Sequence, residues 1–131
     1  MQEDCTKKKL HKTILLVEDN GINQLTTKIM LKNMGFDVLC AENGKEALKV
    51  FDHEHVDLII MDVQMPLMNG LETTLIIRQT PKGKNIPIVA MTAYAMKGDK
   101  ERILDSGMDD YIAKPCVGKD IFEVIKKYLH L

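Results

Sequence analysis

Apolar residues along the chain gather into four short runs, TILLV at 13–17, DVLCA at 37–41, DLIIM at 57–61 and IPIVAM at 86–91, with a weaker fifth, DYIA, at 110–113. Each has strand length. The first, third and fourth are continuous rather than alternating, the pattern of strands buried on both faces of a parallel sheet flanked by helices. Between the runs, apolar positions recur every three or four residues. From Ile22 to Met34 the stripe is Ile22, Leu25, Ile29 and Met30, with Asn20 placed as a cap and Gly35 as a stop, which predicts an amphipathic helix. Similar spacing predicts helices in GKEALKVF (44–51), GLETTLIIRQ (70–79), KGDKERILDSG (97–107) and KDIFEVIKKYL (119–129).

Strand followed by helix, five times over, predicts an α/β fold: a flavodoxin-like (βα)5 doubly wound sheet of five parallel strands in the order 2-1-3-4-5. One such unit occupies 12–131, behind a polar N-terminal extension over 1–11. TPKGKNIP at 80–87 reads as a surface loop. In sheets of this kind the ligand site lies beyond the carboxyl ends of the strands, where the strand order reverses between strands 1 and 3.

Composition narrows the picture only modestly. A chain of 131 residues, 45% hydrophobic and 28% charged with net charge −1, suits one globular domain and gives no sign of a nucleic-acid-binding surface. Cys5, Cys40 and Cys116 are an odd set without a C-x-x-C pair, which argues against disulfides and zinc and for a reducing, cytoplasmic setting. The ILLV run is far too short for a membrane span, and the KKK run at 7–9 reads as a solvated terminus rather than a membrane patch. A longer parent protein could still be membrane-bound.

The strand ends carry the chemistry. Strand 1 ends in VEDN, which delivers Glu18 and Asp19; strand 3 ends in Asp62, strand 4 ends in Thr92, and strand 5 is followed by Lys114-Pro115. Three carboxylates converging on one edge repel one another unless a cation compensates. Oxygen-only ligands suit a hard ion, Mg²⁺ with Mn²⁺ as the alternative, and such an ion beside a lysine and a hydroxyl suits a phosphoryl group. Asp62, ending the central strand, is then the candidate nucleophile, since a carboxylate accepts a phosphoryl group as an acyl phosphate. Glu18 and Asp19 would hold the metal. The backbone carbonyl of Gln64 is a further candidate ligand, with Pro66 to Gly70 shaping its loop.

The motifs ILLVEDN, MDVQMPLMNG, MTAYAMKGD and GMDDYIAKP, in that order over roughly 12–129, resemble the receiver domain of two-component response regulators, most closely the receivers of hybrid sensor histidine kinases. The resemblance implies that Asp62 is the phosphoacceptor, that Asp19 ligates the metal directly and that Glu18 acts through water. It implies that Thr92 is the switch hydroxyl, that Tyr111 is its aromatic rotamer partner, that Lys114 pairs with the phosphoryl oxygens, and that Lys114-Pro115 is a cis peptide. It also implies a phosphohistidine donor, on a histidine kinase or a histidine phosphotransfer domain, and an output surface formed by the fourth helix, fifth strand and fifth helix. The sequence leaves open whether phosphorylation drives homodimerisation through that surface. The domain would catalyse its own phosphorylation and dephosphorylation rather than act as a conventional enzyme, with no contact to nucleic acid or membrane.

Taken singly, these residues have plainer readings: Asp62 a turn aspartate, Thr92 a strand-end hydroxyl, Lys114 a surface lysine, Tyr111 a half-buried strand tyrosine. Their value is joint. His11, His53, His55 and His130 read as surface histidines and the nine methionines as core filling. Two residues depart from the family pattern. Tyr94 stands where a small polar residue is common, and with Gln64 it is expected to set the lifetime of phospho-Asp62. Cys116 follows the Lys-Pro and reads as a buried, inert thiol. A phosphohydrolase with an aspartyl-phosphate intermediate is the rival enzyme reading, weakened because Gln64 occupies the place of its usual second acid. A receiver-like module that no longer accepts phosphate is the rival binding reading, opposed by the complete acidic, hydroxyl and lysine set. The chain stopping at Leu131, directly after the fifth helix, fits either a single-domain regulator or a receiver from a hybrid kinase.

Overall fold

The computed structural model describes residues 10–63, 70–92, 97–114 and 118–130. Five strands alternate with five helices: β1 Thr13–Val17, α1 Gly21–Asn33, β2 Asp37–Ala41, α2 Gly44–His53, β3 Leu58–Asp62, α3 Gly70–Arg78, β4 Ile88–Thr92, α4 Lys97–Asp105, β5 Asp110–Ala113 and α5 Gly118–Leu129. All strand pairs are parallel and the order is β2-β1-β3-β4-β5, as the alternation predicted. Among the described residues no helix is long and apolar enough to cross a membrane.

The continuous runs are the central strands. β3 and β4 are buried at every position and β1 at all but Thr13, whereas the edge strands β2 and β5 are only partly covered. Alternate side chains feed two cores. Leu15, Val17, Ile59, Met61, Ile88 and Ala90 meet Ala47, Phe51, Ile77 and Ile103 from α2, α3 and α4. Ile14, Leu16, Leu58, Ile60, Val89 and Met91 meet Leu31, Ile121 and Ile125 from α1 and α5. Each fully buried Leu or Ile contributes roughly 1.5–3 kcal/mol, so a sheet packed on both faces makes a rigid platform for its carboxyl edge.

The helix ends follow from local chemistry. Asn20 caps α1 by accepting the Asn23 N–H at 2.9 Å, and Asn43 caps α2 by accepting the Glu46 N–H at 2.8 Å. At the far end of α1, Gly35 adopts φ +104°, the Gly35 N–H donates to Lys32 O, and the Phe36 N–H donates to Leu31 O. This is a Schellman stop, sealed by Leu31 and Phe36 meeting in the same core.

Two expectations shift. β3 begins one residue and β4 two residues later than the apolar runs suggest; at β4, Pro87 has no N–H to give the ladder and contributes only its carbonyl, to the Ile59 N–H. Asp62 and Thr92 are the last residues of their strands, as expected. The α1 stripe is also not the core face. Ile22, Leu25 and Ile29 are exposed, and α1 packs through Thr27 and Leu31, with Met30 and Met34 alongside.

Candidate functional site

The register of the sheet determines what meets at its carboxyl edge. After the Val17–Ala41 pair the Glu18 N–H still donates to Ala41 O at 3.0 Å, so Glu18 leaves the sheet directly over the strand ends. Glu18 and Asp62 are buried, while Asp19 is exposed. One carboxylate oxygen from each of Glu18, Asp19 and Asp62 lies within 4.8 Å of the others. On the neighbouring strands Thr92 ends β4, 1% exposed, and the Lys114 N–H donates to Thr92 O at 2.8 Å just beyond β5.

Lys114 reaches back across the edge. Its Nζ donates to Glu18 Oε1 at 3.1 Å and lies 3.5 Å from Asp62 Oδ2. The other Glu18 oxygen accepts the Asn20 N–H at 3.2 Å. Burial alone would lower the Lys114 pKa, but the hydrogen bond to Glu18 and the negative charges of Asp62 and Glu18 outweigh it and hold the ammonium above its ordinary value. Among the described residues, three carboxylates meet this one ammonium, so negative charge is in excess at the cluster. Two like charges 4 Å apart interact by about 4 kcal/mol at an effective dielectric of 20, so the cluster favours a divalent cation. Hard oxygen donors, one of them exposed on the open side, fit Mg²⁺ or Mn²⁺, which retain several waters.

The sheet thus brings Glu18, Asp19, Asp62, Thr92 and Lys114 to one edge. Tyr111 sits lower, paired with Ala90 in the middle of β5 and half-buried against the α2–α4 core. Thr92 lies two residues beyond Ala90 on β4 and so faces the same side of the sheet as Tyr111. Gln64, Tyr94, Pro115 and Cys116 lie outside the described residues.

Two contacts were not visible in the sequence. Gly70, the first residue of the helix expected over 70–79, opens α3 so close to β3 that a Cβ there would stand 2.6 Å from the backbone oxygen of Asp62. Gln24, an unremarked polar residue of α1, donates from Nε2 to Glu18 O at 3.1 Å and to Ala41 O at 3.3 Å. An Asn-Gly pair hints at the first; nothing in the residue string marks the second.

Residues 14–126 match the response regulator receiver domain family. The chain belongs to that family. Among its relatives, hybrid signal transduction histidine kinase I of Dictyostelium discoideum is 48% identical over 120 residues, covering 86% of this chain and 7% of that kinase. The polar-differentiation response regulator DivK of Brucella ovis is 39% identical over 118 residues, covering 90% of this chain and 96% of DivK. This receiver is therefore similar both to a small segment of a long kinase and to nearly all of a short regulator. Among solved structures, the receiver domain of a Pseudomonas aeruginosa sensor histidine kinase matches with TM-score 0.86 and 35% identity over 92% of this chain and 98% of that one. That receiver holds a magnesium ion coordinated in its active-site cleft. The receiver domain of a Syntrophus aciditrophicus histidine kinase matches with TM-score 0.84 and 32% identity, over 91% of this chain and 90% of that one. The phosphoacceptor reading of the sequence and the carboxyl-edge site agree with this family.

Proposed function

We propose that this receiver takes a phosphoryl group from a phosphohistidine onto Asp62 in a Mg²⁺-dependent step and passes the change to the face made by α4, β5 and α5. The observation that carries the reading is Lys114 bonded between Glu18 and Asp62 at the mouth of a three-carboxylate cluster. Asp19 and Asp62 would hold Mg²⁺ or Mn²⁺ directly, Glu18 through water and Gln64 by its backbone carbonyl, and the bound ion would supply positive charge to the oxygens in transfer. An Asp62 carboxylate oxygen attacks phosphorus, the phosphorus–nitrogen bond of the donor breaks, and its electron pair returns to the imidazole ring. Lys114 moves from its carboxylate partners to a phosphoryl oxygen. Thr92 turns its hydroxyl onto the phosphoryl group and Tyr111, on the same side of the sheet, follows it inward. Gln64 and Tyr94 control the approach of hydrolytic water, and hence the lifetime of the acyl phosphate.

The donor is a histidine kinase or a histidine phosphotransfer domain in the cytoplasm. The exposed α1 stripe supports such docking: Ile22 is 78%, Leu25 58% and Ile29 50% exposed, and the stripe starts within one turn of Asp19. Apolar residues at three- and four-residue steps suit the face of a partner helix. Pairing of two phosphorylated copies through α4, β5 and α5 is a further arm of the proposal.

Amide NMR of wild type and Asp62→Asn, titrated with Mg²⁺ and then acetyl phosphate or beryllofluoride, tests the reading. Shifts at Thr92, Tyr111 and Lys114 that require Asp62 support it. A response identical in Asp62→Asn sinks it, and sustained turnover of a phosphomonoester would favour a hydrolase instead.

A further inference from the structure

The segment from Glu18 to Asn20 carries two of the three acidic residues, and they are held very differently. The Glu18 carboxylate is buried and bonded at both oxygens, to Lys114 and to the Asn20 N–H. Asp19 is exposed. A ligand of that kind stands in a defined place only if the backbone on either side of it is fixed. On the downstream side, Asn20 does this by capping α1, with its carbonyl accepting the Gln24 N–H at 2.8 Å. Upstream, the ladder has ended: Val17–Ala41 is the last β1–β2 pair, and only the Glu18 N–H bond to Ala41 O continues it.

Gln24 supplies what is missing. Its side-chain nitrogen is 3.1 Å from Glu18 O and 3.3 Å from Ala41 O, so the two N–H groups of one amide serve the carbonyls at the ends of two adjacent strands. Both partners are acceptors, which fixes the orientation of the amide. The donor stands in the first turns of α1, a helix anchored in the core by Leu31. A neutral donor does this without altering the charge of a cluster whose excess of carboxylates is what favours a cation.

We propose that Gln24 is a positioning residue of the acidic site: by clamping the Glu18 and Ala41 carbonyls it holds the backbone from which Asp19 projects in the geometry a divalent cation requires. The inference rests on the metal-binding reading of Glu18, Asp19 and Asp62. Gln24 itself touches neither cation nor phosphoryl group. Partners that orient ligands from behind typically change metal affinity by 10- to 100-fold when lost, and a backbone clamp belongs near the lower end.

The test is Mg²⁺ affinity, measured by amide NMR titration of the full chain, in wild type, Gln24→Met, Gln24→His and Thr26→Ala. Methionine keeps the length and neutrality of the side chain but removes both donors. Histidine, neutral at pH 8, can donate one N–H. The exposed Thr26 hydroxyl only donates back to Ile22 O within α1, so Thr26→Ala controls for general disturbance of the helix. Gln24→Met should weaken Mg²⁺ on the order of tenfold, with Gln24→His between it and wild type and Thr26→Ala unchanged. In metal-free Gln24→Met the Glu18 and Asp19 amides should exchange faster with solvent while those of β3 and β4 do not. Acetyl phosphate labelling of Gln24→Met should approach the wild-type rate at saturating Mg²⁺, because the lesion is in binding.

A Gln24→Met affinity within twofold of wild type overturns the positioning role and leaves the metal reading intact. Labelling that saturating Mg²⁺ cannot recover also overturns it, because the damage would then extend beyond the metal ligands. Absence of any Mg²⁺ response in wild type overturns the metal reading and the proposal together. Should Gln24→Met fail to fold, Gln24→His carries the same comparison.

Discussion

At the scale of single residues, the protein separates charges it must neutralise from charges it can leave in water. Lys114 is spent on Glu18 and Asp62, whereas Asp110, at the start of β5, is served by α5: Lys127 Nζ stands 3.3 Å from it and the Tyr128 hydroxyl 3.1 Å. The same hydroxyl donates to Asp109 O at 3.0 Å. Burial, then the Asp110 charge and the hydrogen bond to it, push the Tyr128 pKa from 10.0 up to about 12. A raised pKa means that the folded state favours the protonated phenol. Its contribution to stability is complete below pH 10 and is lost as pH climbs towards 12. Ultraviolet titration should show one tyrosine ionising near pH 12, and Tyr128→Phe should remove that component and flatten the alkaline fall in stability. Lys114, also raised, leaves a residual slope above 10.5. A titration unchanged in Tyr128→Phe would refute the assignment.

At the scale of elements, placement matters more than propensity. α3 presses its first residue against the end of β3, and only a glycine fits, since a Cβ at position 70 would be 2.6 Å from Asp62 O and 3.2 Å from the Met61 side chain. Gly70→Ala must therefore move either the helix or the phosphoacceptor strand. We expect a loss of about 1–3 kcal/mol, the usual cost of overpacking, together with slower labelling of Asp62 by acetyl phosphate. Chemical denaturation and labelling kinetics check the two parts separately, and wild-type behaviour in both would contradict the close approach. α1 makes the opposite point. Its outward apolar stripe is unneeded by the core, so Leu25→Asp should leave thermal stability within about 0.5 kcal/mol. Phosphotransfer from a histidine donor should slow by tenfold or more while acetyl phosphate labelling is unaffected. Equal effects on both donors would argue against a docking role.

At the scale of the whole molecule, five strands deliver their last residues to one edge, and the resulting repulsion links stability to metal. Lys114→Met removes the cation paired with Glu18 and Asp62 in the carboxylate cluster. In metal-free protein this should cost about 2 kcal/mol, less than the 3–5 kcal/mol of breaking a fully buried pair because the Lys114 side chain is 21% exposed. Mg²⁺ at a hundred times its dissociation constant should add about 2.7 kcal/mol to wild type and at least as much to Lys114→Met. Urea melts with and without Mg²⁺ measure both quantities. A metal-free Lys114→Met as stable as wild type would show that the repulsion is negligible.

The amino-acid sequence by itself determined the architecture, because burial on both faces of a parallel sheet demands unbroken apolar runs and leaves that mark at 13–17, 57–61 and 86–91. It also determined which residue types stand at the strand ends, since Glu18, Asp19, Asp62, Thr92 and Lys114 each follow directly from where a run stops. The tertiary structure decided what those residues touch. Lys114 pairing with Glu18 as well as Asp62 depends on β1, β3 and β5, far apart in the chain, ending at one edge of the same sheet, so that a long side chain can reach across β4. The outward turn of Ile22, Leu25 and Ile29 depends on which side of α1 the sheet occupies, and helical periodicity shows only that a stripe exists. The Gln24 clamp and the close approach at Gly70 depend on how one element is placed against the backbone of another, and no local pattern of side chains encodes that.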